Sequence, residues 1–208
     1  ADQWLIRGAR GKEGVRSIDV LVQARKSSPY VLNHLVPALL RAGLRVEVQN
    51  GWVDDLVELF NQSTVYLYDS ADYWRGRGAT EGFGLPPLEA LACGCVVFSS
   101  LNHALADHGD PCRTVHQIGC GRLEFDVHRI KRAVLDPLKW RPQVDQLEAC
   151  LAPYTGTRLL ESWREALKHL DALDALPGPL LVNPSTWQLR WRQRLRRVVD
   201  RLPGWPAA

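Results

Sequence analysis

The stretch Thr80-Glu-Gly-Phe-Gly-Leu-Pro-Pro-Leu-Glu-Ala-Leu-Ala-Cys-Gly-Cys-Val-Val-Phe-Ser-Ser100 runs from a glycine-rich loop through a short apolar helix into a strand. Proline is tolerated at the first helical position and disfavours helix in the residue before it, so the Pro86-Pro87 pair predicts a helix opening at Pro87. The amides of Gly82, Phe83, Gly84 and Leu85 then lie free at the helix mouth, and the two glycines remove side chains that would block a ligand. Glu81 stands at the lip of this mouth and Glu89 about one turn inside it. Two carboxylates at fixed separation suit a neutral polyol, whose hydroxyls need paired acceptors. A glutamate in the first turn is also favourable for capping and dipole reasons, which accounts for Glu89 without any ligand. It does not account for Glu81, the loop glycines and the Ala92-Cys93-Gly94 turn together.

Outward from this stretch, β-rich runs at 3–7, 44–49, 64–69, 95–99 and 113–118 alternate with helical patterns. Ile18, Leu21 and Val22 share a helical face in the first pattern, Leu35, Leu39 and Leu40 in the second, and Leu56, Leu59 and Phe60 in the third. Runs such as TVYLYD and CVVFS are apolar at nearly every position, as strands are when helices cover both faces of a parallel sheet. The fold class is therefore α/β, a Rossmann-like parallel sheet flanked by helices. After about residue 120 helices take over, at 126–135, 144–151 and 157–173. Pro177-Gly178-Pro179 then opens an irregular linker, and Ser185-Thr186 caps a last helix over 187–202 that Pro203-Gly204 ends. The expected units are 1–176 and, as linker plus basic amphipathic helix, 177–208.

With 46% hydrophobic and 24% charged residues in 208, fibrous and disordered classes are excluded. A chain of this size buries roughly 70% of its unfolded surface and needs no staples. The five cysteines form no CxxC pair, which points to a reducing compartment. Cys93, Cys95, Cys112 and Cys120 with His103 fit no usual zinc spacing, so no metal site is expected. The amino terminus shows no basic segment followed by an apolar one, and no apolar run approaches ~18 residues, which predicts a chain neither secreted nor transmembrane. The chain contains no Met, which leaves initiator removal and a piece of a longer protein both open.

A second informative stretch, from Trp4 to Arg16, carries Gly8, Gly11 and Gly14 among Arg7, Arg10, Lys12 and Arg16. Glycines leading from a strand into a helix let amides approach an anion, and the cations exceed what a turn needs, so a phosphate site and a solvated basic turn are both open.

On the Glu81-to-Glu89 spacing and the run EGFGLPPLEALACGCVV, the sequence resembles the GT-B fold glycosyltransferases that carry an E-x7-E motif. This is the large retaining group that includes sucrose, glycogen and lipopolysaccharide glycosyltransferases. The resemblance covers about residues 3–173 and the donor-binding half of that two-domain fold. It implies that Glu89 holds the ribose hydroxyls of a nucleotide sugar and that Glu81, the catalytic candidate, contacts the transferred sugar as a positioning and charge-stabilising residue. Gly82, Phe83, Gly84 and Leu85 would surround sugar and diphosphate, Trp52 and Val53 would neighbour the base, and Arg16 with Arg7 or Arg10 would grip the diphosphate. A diphosphate leaving group accumulates negative charge, and preorganised cations plus a helix mouth can stabilise it without a metal or other cofactor.

The sequence departs from that family in four ways. An insertion, 71–80, lies between Ser70 and Glu81 and reads as a solvated loop. Asn102-His103 replaces a frequent Gly-Gly. One family strand is absent between 25 and 43. The acceptor-binding amino-terminal half is missing and would be supplied in cis or in trans. Tyr66, Tyr68 and Trp163 are expected in the core.

Net charge is only +3, yet six arginines fall between Arg190 and Arg201 against one acid, Asp200. With Trp187, Trp191, Leu195, Val198 and Leu202 on one side, the last helix reads first as docking on the missing half and second as a contact, through 186–202, with an anionic membrane. No nucleic-acid module accompanies the charge. The resulting expectation is a cytoplasmic enzyme of carbohydrate biosynthesis, peripheral on the inner membrane face in the second reading. It would transfer a hexosyl group from a nucleotide sugar to a saccharide or other cell-envelope polyol. The alternative is a non-catalytic nucleotide-sugar-binding or partner subunit. An epimerase would need flanking acid and base groups, and a phosphorylase a pyridoxal lysine, for which no lysine lies beside the Glu81 loop in sequence.

Overall fold

The structure, a computed structural model, describes residues 16–111, 113–118, 122–174 and 184–199. Five strands, β1 (Ile18–Gln23), β2 (Val46–Gln49), β3 (Ser63–Tyr68), β4 (Val96–Ser99) and β5 (His116–Gln117), form one sheet in the order β2-β1-β3-β4-β5. Every neighbouring pair is parallel, so each connection must cross over the sheet. A π-helical turn, Val31–Leu35, runs into α1 (Val36–Arg41) to join β1 to β2, and α2 (Leu56–Asn61) joins β2 to β3. The connection from β3 to β4 carries α3 (Ala71–Arg75) and α4 (Leu85–Ala92), and α5 (Ala104–His108) precedes β5. Then follow α6 (Leu123–Leu135), α7 (Pro137–Trp140), α8 (Val144–Leu151), a 3-10 turn at Ala152–Tyr154, α9 (Gly156–Asp174) and α10 (Thr186–Val199).

The sheet separates two apolar layers. On one side Leu21, Tyr66, Tyr68 and Val97 pack with Phe60, Leu88, Leu91 and Leu151. On the other, Val20, Val22, Val65, Leu67, Val96 and Phe98 pack with Val31, Leu35, Leu39, Ile130 and Ala133. Each fully buried aliphatic side chain contributes about 1.5–3 kcal/mol, and β1 buries residues into both layers.

This corrects the helix expected around Ile18, Leu21 and Val22. Those residues have helical spacing, but Val20 between them is equally buried, and Ile18–Gln23 is the second strand of the sheet from its β2 edge. A strand covered on both faces has no polar side, so periodicity does not separate it from a helix. The expected run at 3–7 lies outside the described residues. The run at 113–118 contracts to a two-residue strand.

The chain divides into two compact units, one through Leu159 and one from Leu160, within α9. The Pro177-Gly178-Pro179 break lies outside the described residues. In the second unit Trp187 and Trp191 approach to 5.8 Å between ring centroids. Trp163, expected in the core, is instead exposed, as are Leu160, Leu167 and Leu170 along the same helix, so this apolar stripe has no covering layer among the described residues. No helix of the described residues is long and apolar enough to cross a membrane.

Candidate functional site: a crevice at the carboxyl ends of the strands

From β1 the chain leaves toward β2, and from the adjacent β3 it leaves toward β4, so their loops diverge and open a crevice at the switch point of the sheet. One tie between the two loops is the buried Ser28 hydroxyl, which donates to Asp69 Oδ2 at 2.6 Å. Glu81 lies between them.

Glu81 is 5% exposed, and four side chains of its own chain bond its carboxylate. Oε2 accepts from Tyr68 Oη at 2.8 Å, Ser70 Oγ at 2.9 Å and Trp74 Nε1 at 2.7 Å, while Oε1 pairs with Lys26 Nζ at 3.2 Å. Burial alone would raise its pKa, but the hydrogen bonds from Trp74, Tyr68, Ser70 and Lys26 outweigh that and hold it below the ordinary value. Glu81 is thus held as an anion at neutral pH. Burial and the neighbouring Glu81 push the Tyr68 phenol up, so it serves as a donor. Tyr66 and Tyr68 are core residues as expected, and Tyr68 also reaches the site.

The helix mouth begins two residues earlier than the prolines suggested. Leu85 opens α4, Gly84 caps it, and Pro86 and Pro87 occupy the second and third positions. The first amides of a helix lack intrahelical acceptors, so proline is harmless there. With both prolines lacking N–H, the donors available to a ligand come from Leu85 and the residues before it. Gly84 has φ 75°, and a Cβ there would stand 2.3 Å from Leu105 Cδ2, so only glycine fits. The Phe83 carbonyl accepts from His108 Nε2 at 2.6 Å, which pins the loop to α5.

Glu89 is half-buried on α4, and no hydrogen-bond donor reaches it among the described residues. Burial raises its pKa, the opposite of Glu81. Beyond the ends of β1 and β2, a cleft of about 470 Å³ is lined by Gln23, Gln49, Gly51, Trp52 and Val53, with Asp54 to Val57. Trp52 is 89% exposed, its indole N–H bonded only to Asp54 at 2.9 Å.

The structure separates Arg16 from this crevice. Its guanidinium sits at the amino end of the strands, donating to the carbonyls of Phe60 at 3.1 Å, Ser63, and Cys93 at 2.9 Å, and to Cys95 Sγ at 3.7 Å. The expected grip on a diphosphate at the opposite end is therefore corrected for Arg16. Arg7 and Arg10 lie outside the described residues. Among the described residues the cation paired with Glu81 is Lys26, which is far from the Glu81 loop in sequence. The neighbouring Arg25 is exposed. The missed signal was β1 itself: once Ile18–Gln23 is a strand, Arg25-Lys26-Ser27-Ser28 is the loop at its carboxyl end. Lys26 has φ 72°, uncommon for a residue with a Cβ, and its ion pair with Glu81 holds it there.

The 71–80 insertion, read as a solvated loop, contains α3 and sends Trp74 to Glu81. Of the Asn102-His103 pair, His103 adopts φ 52°, and Asn102 Oδ1 accepts from Ser100 Oγ at 2.7 Å while its Nδ2 is buried without an acceptor among the described residues. Burial pushes the Cys93 thiol up to about 12 and Cys95 to about 11, so both remain neutral. Among the described residues no group of three His, Cys, Asp or Glu is placed to hold a metal ion.

A parallel sheet wound in this order, with its crevice at the strand ends, is the Rossmann-like architecture of GT-B glycosyltransferases. Residues 40–107, from α1 to α5, match the family model described as glycosyl transferases group 1. Among solved structures, HepE from Anabaena in complex with UDP is similar with a TM-score of 0.56 at 16% identity, over 81% of this chain and 53% of that one. HepE in complex with UDP-glucose gives 0.55 over the same shares. Sucrose-phosphate synthase from Thermosynechococcus elongatus gives 0.50 at 19% identity, over 82% of this chain and 42% of that one. The chain thus spans about half the length of HepE, and at these identities the likeness shows the fold. No curated protein sequence matches significantly.

Proposed function

We propose that this chain is the donor-binding half of a retaining, nucleotide-sugar-dependent glycosyltransferase that transfers a hexosyl group to a saccharide or other cell-envelope polyol. The acceptor-binding half would come in cis or in trans. The observation that carries this reading is the buried Glu81–Lys26 pair beside the glycine loop that opens α4, on a sheet of this order, with Glu89 on the same helix reached by no donor among the described residues. HepE, similar in fold, is described in complex with UDP-glucose.

In this reading the base lies along the Trp52 and Val53 cleft, and Glu89 accepts hydrogen bonds from ribose hydroxyls. The diphosphate rests against the amides of Gly82 to Leu85, where the α4 dipole and the Lys26 ammonium face it. As the bond from the sugar to the diphosphate breaks, the leaving oxygen gains charge, and these fixed donors stabilise it without reorganising. Glu81 acts in two ways: it holds Lys26 in place and presents a negative charge near the sugar carbon that becomes electron-poor. No metal enters this scheme. The alternative, a nucleotide-sugar-binding or partner subunit without turnover, is favoured by one observation: Glu81 is already bonded by four donors of its own chain.

Calorimetric titration with UDP, GDP and ADP sugars tests the reading. Binding of one of them, weakened about tenfold or more in Glu89→Ala through loss of a charged acceptor, supports it. Binding of none contradicts it. Glu81→Ala is expected to lower transfer far more than nucleotide affinity, measured with the acceptor half present. Binding without transfer or hydrolysis there supports the subunit reading.

A further inference from the structure

We infer that Trp74, on the inserted helix α3, occupies the face of Glu81 that a sugar hydroxyl would need. The insertion is thus a self-occluding lid over the sugar end of the crevice. This rests on the nucleotide-sugar reading for the identity of the displacing ligand, and on the geometry alone for the lid.

A carboxylate offers about four lone-pair sites, and here Oε2 accepts three hydrogen bonds while Oε1 carries the ammonium of Lys26. With its side chain 4% exposed, Glu81 has no surface left for a further donor. The four covering groups are not equivalent. Tyr68 and Ser70 are 2% and 0% exposed and belong to β3 and the residue pair after it. Lys26 and Trp74 are half-buried, and Lys26 Nζ lies 4.8 Å from the Trp74 ring centroid, so the two form one movable cover over the anion.

The element that carries Trp74 is weakly held. Helix α3 has five residues, none of them buried, and its first turn has no side-chain cap. Among the described residues its other contacts are local: Tyr73 edge-on to Trp74, an Arg75–Asp72 pair, Arg77 over the Tyr73 ring at 3.6 Å, and the Trp74 amide on the Ser70 carbonyl. Residues 75–80 are all exposed, and Gly78 sits at φ 59°. A short segment of this kind opens at low free-energy cost. The hydrogen bond to Glu81 and the Lys26 contact on the ring therefore decide whether it lies over Glu81. A sugar hydroxyl that replaces the indole N–H restores that bond, and the cover then closes the site only when no sugar is present.

The test uses Trp74→Phe, which keeps an aromatic ring at this position and removes the indole N–H donor together with the second ring. UDP and UDP-glucose are the probes, each titrated into wild type and variant by calorimetry. The expected result is unchanged affinity for UDP and about tenfold tighter binding of UDP-glucose, because the sugar no longer displaces a competitor. Unchanged or weaker UDP-glucose binding by the variant overturns the lid. A second arm needs no nucleotide. Hydrogen exchange across 71–79 should accelerate at least tenfold in Trp74→Phe and in Glu81→Gln, and equal exchange in wild type and both variants overturns the lid. Wild type that binds neither UDP nor UDP-glucose but shows the accelerated exchange contradicts the nucleotide-sugar reading and leaves the lid standing.

Discussion

Two cations bracket β1: Arg16 comes just before it and Lys26 just after, and a strand's length sends them to opposite ends of the sheet. Arg16 spends its guanidinium on three backbone carbonyls and a thiol, joining the end of α2 and the start of β3 to the turn before β4. Those carbonyls lie at chain ends, where Phe60 and Ser63 also accept from the Cys95 thiol, and a five-donor planar group can serve several at once. Lys26 pairs with a buried carboxylate, from a backbone conformation that lysine rarely adopts. Hydrogen-bond exhaustion marks a cation that holds the fold. A cation kept in an unfavourable conformation against a buried carboxylate is the candidate for a site.

That contrast can be broken by mutation, and the largest effect is expected on the side of Arg16. Arg16→Met should cost about 3 kcal/mol of stability, since three carbonyls lose a charged donor, and Tm should fall by roughly 5–10 °C in thermal melts. Nucleotide affinity of the folded fraction should not change. Gly84→Ala, at the Lys26 end, is expected to cost about 2–3 kcal/mol through the contact with Leu105 and the positive φ, and to weaken nucleotide binding as well, read by melts and calorimetry together.

A subtler contrast separates the two glutamates, and pH resolves it. Glu81 has a lowered pKa, so its stabilising contribution is present above the ordinary value of 4.5 and is lost only as pH falls through its lower folded value. Glu89 has a raised pKa, so its charged form is disfavoured in the folded chain and protonation begins above 4.5. Nucleotide affinity should therefore decline on acidification before the protection of 71–79 does, as followed by titration and hydrogen exchange at a series of pH values. The smallest expected effect is on stability: Glu89→Gln should raise Tm slightly at neutral pH, with the gain shrinking as pH falls toward 4.5.

The parts of the molecule legible in sequence were those with a local signature. The Glu81-to-Ser100 stretch declares loop, helix and strand by glycine, proline and β-branched residues in turn, and the buried runs at β3 and β4 are too apolar to be anything but core. What escaped was set by tertiary context. Ile18–Gln23 has helix-like spacing because both its faces are covered, and that spacing drew attention to Arg16 before the strand rather than to Lys26 after it. Helix α3 carries a local pattern too weak to distinguish it from a loop. Its conformation depends on Trp74 finding Glu81 across the crevice, a partner no spacing rule discloses. The exposed stripe on α9 carried a core-like pattern and lacks a cover among the described residues, so amphipathicity there reported an apolar face without reporting what lies against it.

The decisive measurement is a calorimetric titration of UDP and UDP-glucose into wild type, Lys26→Met and Arg16→Met, at a temperature where all three are folded. A diphosphate held at the Lys26 end binds wild type and Arg16→Met alike and loses about tenfold or more in Lys26→Met. Equal binding by wild type and Lys26→Met, or a loss confined to Arg16→Met, contradicts the placement of the site.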